Sequence, residues 1–180
     1  VGYLARSFFR PSGAHRILEI LGKVALLDDT LDERERGFIQ SFADSWGVDF
    51  SVDDLLAGGA AGGRDLVGLQ QSVAGYLTSS PPDEQVRQLG DVLQALVSID
   101  DDVSEDEALM ITEIQGMFDA YLGESTASWA VVLVPQSDDQ ERAIQALVPG
   151  ARPTDMRGGR AYLVGQHHSR DYAEVVGRGY

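Results

Sequence analysis

Two stretches of this chain repeat each other at an offset of 72 residues, and that repeat limits the fold more than any other feature. Leu26-Leu27-Asp28-Asp29-Thr30-Leu31-Asp32-Glu33-Arg34-Glu35 aligns with Ser98-Ile99-Asp100-Asp101-Asp102-Val103-Ser104-Glu105-Asp106-Glu107. Behind them Phe38, Ile39, Phe42 and Trp46 align with Met110, Ile111, Ile114 and Phe118. Each copy runs an apolar helix into a pair of acids, then an apolar residue, a cap, and a glutamate three residues on. The next helix starts there. Two helix–loop–helix units of this kind predict a bundle with approximate internal two-fold symmetry.

The surrounding pattern is helical from Ala14 to about Gly123. Ile17, Leu18, Leu21, Val24 and Ala25 recur at three- and four-residue spacing, as do Leu66, Leu69, Val73 and Leu77. Val86, Leu89, Leu93, Leu96 and Val97 line another helix behind Pro81-Pro82, and Met110, Ile114, Met117, Phe118 and Tyr121 line the next. Gly47 is a natural stop, Ser51 an N-cap for a short turn, and Gly58 to Gly63 a loop with no side chains to pack.

After Gly123 the pattern changes. Trp129 to Val134 is an apolar run ended by Pro135, which predicts a buried strand, with Trp129 (like Trp46) a core aromatic. Ser137 to Leu147 reads as a helix with Ala143, Ile144 and Leu147 on its apolar face. Arg152 to Met156 pairs with Arg160 to Gly165 across a Gly-Gly hairpin, and Ser169 to Val176 is a last helix. The fold class expected is therefore mainly α, a helical bundle over 17–123 followed by a small α+β module over 127–180, with 1–16 a basic and aromatic leading segment. A module of about 55 residues is marginal alone. Its element order is similar to that of small ferredoxin-like modules, peptidoglycan-binding ones included, and it reads as an accessory or dimerising unit, which makes a homodimer a candidate state.

The two acidic bends resemble the pattern of the TerB-like (tellurite-resistance) family of helical domains: an apolar residue, Asp-Gly-x-Ile/Val-Ser-x-x-Glu, then a helix. Residues 28–35 and 100–107 match it, and the likeness extends from about Ile17 to Leu122. Both copies carry Asp (Asp29, Asp101) where the family favours Gly. The resemblance implies a helical bundle of a bacterial stress-response or signalling protein that acts through protein partners rather than as an enzyme, with divalent metal held by the acids. Related domains also sit beside other modules in membrane-associated proteins.

Read without the family, Asp28, Asp29, Glu35, Asp100, Asp101 and Glu107 are hard oxygen donors suited to Ca²⁺ or Mg²⁺. No EF-hand register fits. A loop starting at Asp100 puts Glu105 where Gly is required, and one starting at Asp102 puts Glu107 there. Asp32-x-x-Glu35 and Ser104-x-x-Glu107 also read as capping boxes, which accounts for these four residues without a cation. It leaves Asp28-Asp29 and Asp100-Asp101 at a helix C-terminal end, where negative charge is unfavourable. A metal-dependent hydrolase using the same carboxylates is the alternative from another class, and a purely structural module of a membrane-associated protein is a third.

Composition narrows the rest. With 14 basic and 29 acidic residues the formal charge is −15, which argues against a nucleic-acid partner. There is no cysteine, hence no disulfide, thiolate site or Cys nucleophile. Residues 1–16 carry Arg6, Arg10 and Arg16 and no acid, so residues 1–12 are a candidate for proximity to a membrane surface. No run reaches the length of a membrane span, and the chain reads as a cytoplasmic protein or an internal piece of a larger membrane-associated one. Gly-x-Ser-x-Gly, a phosphate-binding loop and the His-Pro-Asp of J-domains are all missing from the sequence. His167-His168, between a strand and a helix, reads as an exposed pair.

Overall fold

The computed structural model describes residues 11–27, 31–55, 65–99, 103–125 and 127–180. They form two compact units that divide between Glu124 and Ser125, and the protein is mainly helical with one small sheet.

The first unit contains α1 (Pro11–Val24), α2 (Glu33–Trp46), the short α3 (Val52–Leu55), α4 (Leu66–Leu77), α5 (Asp83–Val97) and α6 (Glu105–Tyr121). Helix α1 is the hub. Its residues Ala14, Ile17, Leu18, Ile20, Leu21 and Val24 are all buried, a broader face than a single stripe, because α2, α3, α4 and α5 each pack on it. Its two cations lie along α4. Arg16 donates to the Gly75 carbonyl at 2.9 Å and Lys23 to the Ser72 hydroxyl at 2.7 Å. Helix α6 packs on α4 and α5. Helix α2 ends at Gly47, whose φ of 64° is the left-handed conformation that a residue without Cβ adopts cheaply.

The second unit runs β1 (Trp129–Leu133), α7 (Asp138–Leu147), β2 (Pro153–Met156), β3 (Gly159–His167) and α8 (Arg170–Arg178). Strand β3 lies between the other two and is antiparallel to both, in the order β1-β3-β2. Ladder partners Val131↔Gly165 and Val132↔Leu163 skip Val164, so the bulge lies on β3 and β1 stays regular. Helix α8 packs on β1 and β3.

Three expectations are corrected here. Trp129 is 46% exposed, not a core residue, and the Arg170 guanidinium lies 5.8 Å from its ring centre. Strand β1 is an edge strand, in which only Val131 is fully buried, so the apolar run does not make a buried strand. The apolar stripe of α7 buries nothing completely, and Leu147 is 64% exposed. That helix is held instead by polar contacts: the Tyr162 hydroxyl donates to Glu141 at 2.5 Å, Arg160 donates to the same oxygen at 2.8 Å, and Gln145 donates to the Tyr162 hydroxyl at 3.1 Å. The Tyr162 donation, followed by that of Arg160, holds the Glu141 carboxyl below its ordinary range.

Candidate functional site: the two acidic bends

Both bends close on the same device. Asp32 is the N-cap of α2 and accepts from the backbone N–H of Arg34 at 2.6 Å and of Glu35 at 2.8 Å. Glu35 answers by accepting from the Asp32 N–H at 3.0 Å. Ser104 caps α6, its hydroxyl accepting from the Glu107 N–H at 3.1 Å, and Glu107 accepts from the Ser104 N–H at 2.9 Å. These are reciprocal capping boxes, satisfying three N–H groups at the start of α2 and two at the start of α6. Glu35 and Glu107 are each only 5% exposed.

Of the six predicted metal ligands, these two glutamates are placed and engaged at their caps. Asp28, Asp29, Asp100 and Asp101 lie outside the described residues. Among the described residues no group of three or more His, Asp or Glu side chains is arranged to hold a metal ion. Each glutamate accepts its cap N–H through one carboxylate oxygen.

The copies differ in one consequential way. The Glu35 N–H bond, more than any other partner, lowers the Asp32 carboxyl below its usual value of 3.8. A lowered folded-state value means that this cap contributes fully above the ordinary value and fades as the pH falls through the folded one. The Ser104 hydroxyl has no such titration. Below about pH 4 the first turn of α2 is therefore expected to lose amide protection, and Asp32→Ser is expected to remove the part of that loss due to the cap. Hydrogen exchange at Arg34 and Glu35, followed across pH, checks this.

Other polar groups of the first unit were not anticipated. Glu113 of α6 is 0% exposed and accepts from Gln70 of α4 at 2.8 Å. Its signal was available, since Glu113 falls three residues after Met110 and four before Met117, on the apolar stripe itself. Tyr76 donates to Gln85 at 3.1 Å, and burial pushes its phenol well above the ordinary value. A groove of about 320 Å³ between α5 and α6 has Phe118 in its wall and Arg87, Asp91, Gln94, Gln115 and Asp119 around it, with Arg87 paired to Glu124 at 2.7 Å. Neither Glu35 nor Glu107 lines that groove.

No family model, curated protein or solved structure matches the chain. The reading of the bends therefore rests on their own chemistry and on the pattern they share.

The histidine pair also differs from expectation. His167 ends β3 and is buried, with its ring 5.1 Å from that of Tyr172, and His168 is half-buried. Gly165 makes room for this: a Cβ there would stand 2.7 Å from His167 Nε2. No helix among the described residues is long and apolar enough to cross a membrane. Most of the basic leading segment, residues 1–10, lies outside the described residues, and 11–16 belong to α1.

Proposed function

We propose that this chain is a TerB-like interaction and sensor domain of a bacterial stress-response or signalling protein. It works without catalysis, and its acidic bends take up a divalent cation, Ca²⁺ or Mg²⁺. The observation that supports this reading is the doubling of the capping box: two bends of matching sequence close with the same hydrogen bonds and bury the same glutamate.

Capping explains Asp32, Glu35, Ser104 and Glu107. It leaves two pairs of carboxylates adjacent in the sequence, Asp28-Asp29 and Asp100-Asp101, which follow the last residues of α1 and α5 by a few positions. The carbonyls of a helix end carry partial negative charge. A cation there would relieve repulsion among the acids and with those carbonyls, and would favour the folded bundle. Binding of that kind changes stability by mass action, about 2.7 kcal/mol at a concentration 100 times the dissociation constant. Partner binding would then respond to the cation through the bends, which is what makes the domain a sensor.

Titration calorimetry with Ca²⁺ and with Mg²⁺, alongside melting curves, tests this. Wild-type protein is expected to give a binding heat and a higher melting temperature. Asp28→Asn/Asp100→Asn is expected to lose both while remaining folded. Wild-type protein showing neither heat nor a shift in melting would rule out the cation and leave a plain interaction scaffold.

A further inference from the structure

The sheet of the second unit has two edges with opposite character. Strand β2 is short, begins at Pro153, and carries Asp155 between Arg152 and Arg157. Short length, proline and charge are the features that discourage another strand from adding. Strand β1, one residue longer, carries neither proline nor charge. Trp129, Ala130, Val131, Val132 and Leu133 are all uncharged and regular in conformation, because the bulge beside them lies on β3. Among the described residues no other strand pairs with its outer side, so every second residue of β1 turns its N–H and C=O away from the sheet.

We infer that β1 pairs antiparallel with β1 of a second copy of this chain, joining two three-stranded sheets across a two-fold axis. This goes beyond the cation reading and does not depend on it. Three observations select a second copy as the occupant. First, an isologous contact needs a self-complementary strand. With Val131 on the axis, Trp129 stands opposite the partner's Leu133 and Ala130 opposite the partner's Val132, so no charge meets its like. Second, Trp129 and Val134, at the two ends of this strand, are exposed apolar side chains that the neighbouring copy would cover. Third, charge is divided between the units. The second holds six arginines (142, 152, 157, 160, 170 and 178) and six acids (138, 139, 141, 155, 171 and 174), whereas the formal −15 of the chain falls on the first. Two copies of the second unit meet without net repulsion. Repulsion between the acidic units would still act at a distance, so the dimer should tighten with salt, the reverse of what two oppositely charged partners would show.

Sedimentation velocity on the full chain over a range of concentrations and salt tests this. The expected result is a reversible rise from the 19.5 kDa monomer to twice that mass, favoured by added NaCl. Ala130→Lys/Val132→Lys places two like-charged pairs across the axis and is expected to leave monomer only, with the helical circular dichroism unchanged. Ala130→Lys/Val132→Glu puts an ammonium opposite a carboxylate and is expected to restore the dimer. A monomer at every concentration would overturn the inference. So would a dimer indifferent to both double variants, which would place the contact elsewhere.

Discussion

Leu21→Ala is expected to destabilise the helical unit by about 2–5 kcal/mol, lowering its melting temperature by on the order of 10 °C or more. Leu21 is 0% exposed on α1, the helix that α2, α3, α4 and α5 all use as a wall. Truncation removes the transfer energy of its lost carbon atoms. It also leaves a cavity that the neighbours cannot easily fill, since each is fixed by its other contacts. Urea unfolding followed by circular dichroism measures the loss. Val67→Ala, at an exposed position on α4, serves as the reference and should stay within about 0.5 kcal/mol of wild type. If Leu21→Ala behaved like that reference, α1 would not be the hub of the unit.

Tyr172→Ala should have a different and more local consequence. Tyr172 is 0% exposed, packs its ring against His167, and donates its backbone N–H to the Ser169 cap of α8 at 3.3 Å. Loss of a buried aromatic costs about 3–5 kcal/mol, and a core built on Val131, Ala161, Tyr162, Tyr172 and Ala173 holds little more than that in reserve. The expected outcome is a chain in which residues 125–180 unfold while the helical unit keeps its structure. In a two-dimensional amide spectrum the resonances of the second unit would collapse to random-coil positions and those of the first would stay put. Simultaneous loss of both sets would mean that the units fold as one.

The helices were legible because their signals are local. A stripe such as Leu89-Leu93-Leu96 needs only a partner surface, and Asp32-x-x-Glu35 and Ser104-x-x-Glu107 carry their hydrogen-bond partners within one turn. The capping half of the candidate site was therefore readable from spacing alone. Its other half, the paired aspartates ahead of each cap, falls outside the described residues and remains a proposal on chemical grounds.

The errors cluster in the second unit, where burial depends on topology. Trp129-Ala130-Val131-Val132-Leu133 has the composition of a core strand, but strand order puts it at an edge with α8 packed on only part of it. The leucine of α7 promised a buried stripe, yet the sheet holds that helix through Tyr162 and Glu141. His167 was misplaced for a similar reason: nothing in a His-His pair reveals that α8 turns back to lay Tyr172 against the first ring. Glu113 is the converse, a signal present in the periodicity and overlooked because an acid on an apolar stripe is easily taken for an interruption.

That carboxyl has a consequence for how α6 finds its place. Oily helix faces are forgiving, and methionines such as Met110 and Met117 would tolerate a slip of one turn, about 5.4 Å, with little loss. Glu113 would not. Sliding α6 along α4 would draw the acid away from the Gln70 amide at a position shut off from water. The pair thus acts as a locating pin: it adds modestly to strength and excludes the near-miss alignments of the bundle.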